Sequence, residues 1–473
     1  MGVNQSAKRK HHVKEGEEVN FDHFQILRAI GKGSFGKVCI VQKRDTGTMY
    51  AMKYMSKAVC FERDALRNVL REIEILTELD HPGLVNLWFS FHDEEDMFLV
   101  QDLLLGGDLR YHLMQNGTFP LAAVKLYVAE LGSALDYLQQ KRIIHRDIKP
   151  DNILLDEQGH SHIADFNVAT KLEEGKKFAT AQSGTKPYMA PEIFACSVDE
   201  TPGYDFAVDW WSLGIVAYEL AAGRRPYEIH SHYSNKDIRL VHLTATPKWP
   251  SAWPPEFTQL VKELLEVDAL ERVRCLQSLQ NQPIMRDVCF DAVLEMKTNP
   301  VFVPPKGHLN CDPTFELEEM IVESRPLHKK KKRLAKQRSL REIQSSPSCE
   351  QEFTLDPLAE EFTTFNRQRQ LDRMERERKE QEWESELLTA MEASGSASLA
   401  ASTSTSTSTP KLSEDPADHG DDDADGPGPG PSSSMANHPR SSADSKKSAW
   451  AKRRSITMPE GDKVWRVSKQ NKQ

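Results

Sequence analysis

The chain has 473 residues, of which 38% are hydrophobic and 28% are charged, and its formal net charge is −10. This length allows two or three domains, or one large domain with tails, and the low hydrophobic content indicates a sizeable disordered share. The charge argues against a general nucleic-acid binder, and no apolar run is long enough to span a bilayer. The seven cysteines lack CxxC spacing and the polar start shows no secretory signal, so we expect an intracellular, cytoplasmic protein with reduced thiols.

Strand and helix patterns follow one another from residue 24 to residue 284, where the composition is globular. Alternating polarity predicts strands at 24–30, 38–42, 49–54 and 97–102, and three- and four-residue spacing predicts helices at 63–79 and 121–140. Residues 1–23 are predicted to form a polar arm, and residues 285–366 a partly packed extension with a basic run at 329–333. Residues 367–473 form a tail, in which 367–392 are charged and helix-prone and the last hundred residues are predicted to be disordered.

Three glycines, Gly31, Gly33 and Gly36, lie between the first two predicted strands. Glycine lets the backbone approach phosphates closely and point N–H groups at them, so this segment predicts a hairpin that covers a nucleotide. An ordinary glycine-rich β-turn is the alternative, and a dinucleotide-binding fold is disfavoured because a strand follows the last glycine. The residues predicted to contact the nucleotide are Ile30, Gly31, Lys32, Gly33, Ser34, Phe35, Gly36, Lys37 and Val38.

A lysine, Lys53, stands at the end of the third predicted strand, and Glu72 lies on the helix that follows. An isolated lysine at such a place is usually solvated. A buried pair with Glu72 would instead hold Lys53 against the phosphates of a nucleotide. We predict that pair.

The most specific segment is an irregular loop between two apolar runs, and its sequence is His145-Arg146-Asp147-Ile148-Lys149-Pro150-Asp151-Asn152. Asp147 can orient an acceptor hydroxyl or accept its proton, Lys149 can neutralise a γ-phosphate, and Asn152 can bind a metal ion. A polar surface turn is the alternative. The apolar neighbours on both sides argue against it.

A second metal ligand is predicted at Asp165. This residue follows a short apolar strand and begins the sequence Asp165-Phe166-Asn167. Its carboxylate would bridge the β- and γ-phosphates through Mg²⁺. Asn167 stands where such a loop usually has glycine. Asparagine is among the few residues that tolerate the left-handed backbone that glycine favours, so we expect the substitution to be compatible with activity.

In order and spacing, these motifs resemble the protein-kinase signature, which extends to Ala190-Pro191-Glu192. The segments 19–31, 103–108, 165–167 and 184–192 are similar to those of AGC-group kinases, in particular the YANK family (serine/threonine-protein kinase 32). The resemblance covers residues 24–284. It implies an α+β, bilobal protein-kinase fold, with a small β-rich lobe that holds one key helix and a larger, mainly helical lobe.

The resemblance also implies the cofactors and the reaction. ATP and Mg²⁺ (or Mn²⁺) would be used to phosphorylate Ser or Thr of protein substrates, and Lys149 with Thr185 marks Ser/Thr rather than Tyr specificity. Gln101 would gate the pocket behind the adenine, Asp102 to Leu104 would form the hinge, and Asp108 would lie beyond it. Buried features would include a Glu192–Arg272 ion pair and a spine made of Leu76, Leu87, His145 and Phe166.

By the same resemblance, Asp108, Asp151 and Glu219 match acidic positions that receive substrate arginines upstream of the acceptor in AGC kinases. A basophilic preference follows as a hypothesis, and solvated surface carboxylates are the alternative.

Two segments depart from the family pattern. Ala181 stands where related kinases carry an activating phosphothreonine, so either Thr180 or Ser183 substitutes for it or the loop needs no phosphate. Phe362 and Phe365 resemble a hydrophobic motif that docks on the small lobe, although Asn366 replaces the usual Ser/Thr after it. A stray aromatic pair before a charged helix is the alternative.

Both ends of the chain carry candidate modification sites. Gly2 fits an N-myristoylation pattern and is followed by Lys8, Arg9 and Lys10, which together predict reversible attachment to the plasma membrane. Ser455 follows two arginines and is a candidate phosphosite, as is Thr180. We expect a monomer that does not bind nucleic acid. A pseudokinase or scaffold that binds nucleotide without phosphoryl transfer is the rival class.

Overall fold

The structure, a computed structural model, describes residues 18–32, 36–230, 232–307, 310–311 and 361–402. It divides into one unit that includes the chain up to Arg367 and a second unit that starts at Gln368. The predictions for Gly2, Gly33, Ser34, Phe35, Ser455 and the basic run at 329–333 lie outside the described residues.

The first part of the chain forms antiparallel strands with two helices between the third and fourth. The elements are β1 (Phe24–Lys32), β2 (Gly36–Lys43), β3 (Met49–Ser56), α1 (Lys57–Glu62), α2 (Leu66–Thr77), β4 (Leu87–His92) and β5 (Asp96–Gln101). The strands predicted in this part are all present, whereas β4 and α1 were not predicted. The helix predicted at 63–79 is shorter because Asp64 has a φ of 49°, which separates α1 from α2.

The second part of the chain is mainly helical. Its elements are α3 (Leu109–Asn116), α4 (Leu121–Gln140), β6 (Ile143–Ile144), β7 (Ile153–Leu155), β8 (Ser161–Ile163), β9 (Thr170–Lys171), α5 (Pro191–Ser197), α6 (Ala207–Ala222), α7 (Asn235–Thr244), α8 (Pro255–Leu264), α9 (Leu276–Gln280) and α10 (Phe290–Leu294). Helix α4 has the predicted bounds. It packs on α6, and both are buried over most of their length because both are apolar on nearly every side. The predicted bilobal α+β fold is confirmed.

Short antiparallel ribbons position the predicted catalytic loop. Strand β6 pairs with β9, and β7 pairs with β8. The loop between β6 and β7 therefore carries residues 145–152, and the stretch between β8 and β9 carries Asp165. Both segments start from strands that are buried along their length, which fixes their polar side chains at one end of the ribbons.

A short strand from far downstream, β10 (Phe365–Asn366), joins the edge of the small-lobe sheet. It pairs antiparallel with β4, in the register Phe365 to Ser90, and gives the strand order β1-β2-β3-β5-β4-β10. Ser90 Oγ donates to the Thr363 carbonyl at 2.6 Å, and the buried Phe362 ring lies 4.7 Å from the His92 ring. The geometry therefore favours docking over a stray aromatic pair.

One long helix, α11 (Arg367–Ser402), follows β10. Its first part matches the predicted helix-prone segment at 367–392. The prediction that the last hundred residues are disordered was wrong up to Ser402. Residues 393–402 contain four alanines and one leucine, which favour helix, and the next proline is Pro410.

Candidate active site

The predicted lysine–glutamate pair joins β3 to α2. Lys53 Nζ lies 2.7 Å from Glu72 Oε1 and 3.0 Å from Oε2, and the Glu72 side chain is almost fully buried. Burial alone would lower the pKa of Lys53, but the carboxylates of Glu72 and Asp165 outweigh it and raise that pKa above its ordinary value. Lys53 is therefore held as a fixed cation at the base of the cleft.

The predicted metal ligand lies beside this cation. Lys53 Nζ is 3.5 Å from Asp165 Oδ1 and 3.5 Å from Asn167 Oδ1, and Asn167 Nδ2 donates to Asp165 Oδ1 at 2.6 Å. The left-handed residue here is Asp165, with a φ of 63°, and Asn167 is not among the residues with positive φ. Tolerance of left-handed backbone is therefore not what lets asparagine occupy this position. Its amide instead adds a hydrogen bond that glycine could not make.

At the predicted catalytic loop, one carboxylate collects three donors. Asp147 Oδ2 accepts from Lys149 Nζ at 2.8 Å and from Asn152 Nδ2 at 2.9 Å, and Oδ1 accepts from Thr185 Oγ1 at 2.6 Å. Lys149 Nζ also lies 2.9 Å from Thr185 Oγ1. These four residues are referred to as the catalytic cluster.

The environment of Asp147 keeps it ionised. Burial alone would raise its pKa, but the hydrogen bonds from Lys149 and Thr185 outweigh burial and bring the pKa below its ordinary value. An ionised carboxylate can orient a hydroxyl donor and accept its proton.

The backbone of the catalytic loop is held by a residue that the sequence reasoning missed. Asp209 on α6 accepts from the N–H of His145 at 2.7 Å and from the N–H of Arg146 at 2.8 Å. Its carboxylate is buried, and burial raises its pKa. A carboxylate among the apolar residues of α6 was the available signal, because a buried charge needs dedicated donors.

The two predicted metal ligands come from adjacent segments. The Ala164 N–H donates to the Asn152 carbonyl at 2.9 Å, which ties the segment before Asp165 to the catalytic loop. The Asp165 side chain is 41% exposed, and carboxylate and amide oxygens are ligands that Mg²⁺ and Mn²⁺ prefer. These residues therefore fit such a cation.

The strands that flank the glycine loop pair with each other, and β2 also pairs with β3, which places Val38 opposite Lys53. Gly31 pairs with Val38, and Lys32 with Lys37. A Cβ at Gly36 would lie 1.7 Å from the Tyr54 carbonyl oxygen, so close packing on β3 alone already requires glycine there. Glycine at 36 is therefore explained without a nucleotide.

The predicted hinge starts at the end of β5. Gln101 ends the strand, and Leu104 is partly exposed. The buried Asp102 carboxylate accepts from the Asn86 N–H at 3.0 Å and from Trp88 Nε1 at 2.7 Å. Its side chain therefore faces the protein, and only the backbone of Asp102 can contact a nucleotide.

The other features implied by the family resemblance are also in place. Arg272 Nη1 and Nη2 lie 2.7 and 3.0 Å from the Glu192 carboxylate oxygens. The four spine residues, Leu76, Leu87, His145 and Phe166, are all buried. The His145 and Phe166 rings are 4.8 Å apart, so this contact links the catalytic loop to the segment that carries Asp165.

The three acidic residues predicted to bind substrate arginines all have partners within the chain. Asp108 caps α3 by accepting from the Tyr111 N–H at 2.7 Å, and burial raises its pKa. Asp151 and Glu219 both contact Arg110, at 3.3 and 3.1 Å. Sequence reasoning missed Arg110, which lies on α3.

The segment that carries Thr180 approaches Arg146. The Arg146 guanidinium donates to the carbonyls of Val168 and Ala181, at 2.6 and 3.4 Å, and to the Tyr204 hydroxyl, at 3.2 Å. Thr180 is exposed. The Ala181 carbonyl thus accepts a hydrogen bond from Arg146, the residue that precedes Asp147.

Two features are absent from the residues that the structure describes. No helix there is long and apolar enough to cross a membrane. In the same residues, no group of three or more His, Cys, Asp or Glu side chains is placed to hold a metal ion.

Comparison with known proteins identifies the class. The protein kinase domain family matches residues 24–284. Over 374 residues the chain is 56% identical to serine/threonine-protein kinase 32C of Homo sapiens, with 78% of this chain and 77% of that protein covered. Over 373 residues it is 58% identical to serine/threonine-protein kinase 32B of Homo sapiens, covering 78% of this chain and 89% of that protein.

A more distant relative is beta-adrenergic receptor kinase 1 of Rattus norvegicus, which is 33% identical over 306 residues, covering 63% of this chain and 44% of that protein. The chain belongs to the protein kinase family and, within it, to the serine/threonine-protein kinase 32 group. The predicted family resemblance is confirmed.

Proposed function

We propose that the chain is an active serine/threonine-protein kinase that transfers the γ-phosphoryl group of ATP to hydroxyls of protein substrates. The observation that carries the proposal is the ionised Asp147, which is held by three donors next to the residues that fit a phosphate-bound cation. The kinase 32 relatives support the Ser/Thr class.

Each polar group of the cleft has a role in this reaction. Asp147 orients the acceptor hydroxyl and takes its proton, while Lys53 and Lys149 stabilise the negative charge that develops on the phosphoryl oxygens. Asp165 and Asn152 would hold Mg²⁺ or Mn²⁺. That cation supplies charge neutralisation at the β- and γ-phosphates. The hydrogen bond from Asn167 helps to fix the Asp165 carboxylate.

A radiolabelled ATP assay on a Ser-containing protein substrate tests the proposal. We expect Asp147→Asn to lower the rate by about 10²–10⁴-fold, because an amide cannot accept the proton. Glu173→Gln, at an exposed carboxylate, is the matched control and should keep the wild-type rate. If wild type and Asp147→Asn incorporate equal label, the chain is a nucleotide-binding scaffold and the kinase proposal fails.

We also propose that the amino terminus attaches the kinase reversibly to membranes. One acyl chain on Gly2 binds weakly, and the basic residues Lys8, Arg9 and Lys10 supply the second, electrostatic contribution on an anionic leaflet. Gly2→Ala should shift the full chain from the membrane fraction to the soluble fraction and abolish labelling by a myristate analogue. Unchanged fractionation would refute this proposal.

A further inference from the structure

A single arginine lies at the centre of the acidic positions that family resemblance assigns to substrate arginines. Arg110 Nε donates to Asp151 Oδ2 at 3.3 Å, and its two terminal nitrogens reach Glu219 Oε1 and Oε2 at 3.1 and 3.3 Å. Arg110 also donates to the Tyr188 hydroxyl, which itself donates to Glu219 at 2.6 Å. These four residues are referred to as the guanidinium cluster.

The guanidinium cluster adjoins the place where the acceptor hydroxyl must lie. It shares two segments with the catalytic cluster. Asp151 is on the same loop as Asp147, and Tyr188 belongs to the short turn that follows Thr185. A substrate chain whose acceptor reaches Asp147 therefore passes close to Arg110.

The charges in this region are already balanced. The Glu219 side chain is only 5% exposed, and a second arginine, Arg225, lies 3.8 Å from Glu219 Oε1. Two carboxylates, Asp151 and Glu219, thus face two guanidinium groups. A buried carboxylate held bidentately by arginine is a strong, geometrically defined pair, and Arg110 is held in place by its own helix.

We propose that Arg110 is a specificity-determining residue that occupies the acidic subsite from within the chain and so removes the requirement for arginine upstream of the acceptor. The inference rests on the proposed kinase function. It assigns this kinase to protein substrates selected without a basic upstream residue. A substrate arginine can take the bidentate contact with Glu219 only by displacing Arg110.

The test compares paired peptides that differ only in upstream residues, which are arginine in one peptide and alanine in the other. The measured quantity is the ratio of kcat/KM for the two. For the full-length wild-type kinase we expect a ratio within about threefold of one. Arg110→Ala should raise it about tenfold or more, because a charge-assisted hydrogen bond to Glu219 becomes available to the substrate. Adding Glu219→Gln to Arg110→Ala should return the ratio toward one.

Two further variants serve as a control and as a substitute for Arg110→Ala. Arg225→Ala removes the neighbouring guanidinium but leaves the Arg110 contacts, and it should change the ratio by less than about twofold. Arg110→Gln retains hydrogen-bonding capacity and replaces Arg110→Ala in the test if that variant fails to fold. It should also raise the ratio. A wild-type enzyme that already prefers the arginine peptide more than about tenfold, or an Arg110→Gln ratio equal to wild type, would overturn the inference.

Fluorescence anisotropy of the same peptides separates this inference from the kinase proposal. Binding of the arginine peptide should strengthen in Arg110→Gln whether or not phosphate is transferred. If binding strengthens but no peptide is phosphorylated, the kinase proposal alone is refuted. Normal transfer without the binding change would refute the role of Arg110 alone.

Discussion

The catalytic cluster and the guanidinium cluster are built from similar residue types but have opposite centres. In the first, the carboxylate of Asp147 is surrounded by a lysine, an amide and a hydroxyl that donate to it. In the second, the guanidinium of Arg110 is surrounded by two carboxylates and a phenol that accept from it. A negative centre can take a proton from a substrate, whereas a positive centre cancels the acidic surface around it. Carboxylates near a catalytic loop therefore do not by themselves predict a basophilic kinase.

Removing one cation from the catalytic cluster and one from beside the guanidinium cluster gives the largest expected contrast in rate. Lys149→Ala takes the positive charge from Asp147 and from the transferred phosphoryl group, so kcat should fall about 10²–10³-fold. Arg225→Ala takes a cation from beside Glu219, and kcat on an alanine-flanked peptide should stay within about twofold. Steady-state kinetics on that peptide checks both. Equal losses would show that the two clusters act as one catalytic unit.

The two carboxylates of the guanidinium cluster should contribute unequally to the stability of the fold. Glu219→Gln weakens the charge-assisted bonds of a buried carboxylate to Arg110 and should lower the free energy of unfolding by about 1–3 kcal/mol. Asp151, the other carboxylate partner of Arg110, is 48% exposed. Asp151→Asn should therefore lower the free energy of unfolding by less than about 1 kcal/mol. Urea unfolding measures both variants. A larger loss for Asp151→Asn would contradict the assignment of Glu219 as the main anchor of Arg110.

The pH dependence distinguishes the clusters further. Asp147 has a lowered pKa, so its proton-accepting form persists into acid and kcat/KM should fall only as pH drops through that low value. Thr185→Val removes a donor to the ionised form and should move the acid limb to higher pH. Asp151→Asn should leave the limb in place. An acid limb of kcat/KM at the same pH in Thr185→Val and wild type would contradict the role of Thr185.

The two clusters also show what sequence reasoning can reach. Asp147, Lys149 and Asn152 lie within one short loop, and that spacing limits their side chains to one neighbourhood, so their grouping could be predicted. Arg110 meets partners that are 41, 78 and 109 residues away. No local pattern specifies such contacts, because they depend on how α3, α6 and the turn after Thr185 pack.

The same limit applies to the fold. Periodicity located α4 and the predicted strands, because their apolar spacing is local. Strand β10 has two residues and joins the sheet from more than 270 residues beyond its partner β4, as the bond from Ser90 to Thr363 illustrates. The resemblance raised docking of Phe362 and Phe365, but whether the segment forms a strand depends on the open edge of β4, which only the folded sheet presents.

The smallest expected effect concerns the segment that carries Thr180. A phosphothreonine activates related kinases by giving an arginine beside the catalytic aspartate a new partner. In this chain the Arg146 guanidinium already donates to the carbonyls of Val168 and Ala181 and to Tyr204. The geometry favours the alternative in which the loop needs no phosphate. Thr180→Ala should then keep kcat within about twofold of wild type.

Kinetics on wild type before and after phosphatase treatment, measured beside Thr180→Ala, checks this expectation, and Ser183→Ala serves as the matched control at the other candidate position. A loss of about tenfold or more in Thr180→Ala, restored by Thr180→Glu, would mean that a negative charge at Thr180 competes successfully with the Ala181 carbonyl for Arg146. In that case the contacts of Arg146 would describe the unphosphorylated state, and the activation segment would depend on added charge. Equal rates in both variants would instead make the Ala181 backbone the partner that keeps Arg146, and with it the catalytic loop, in position.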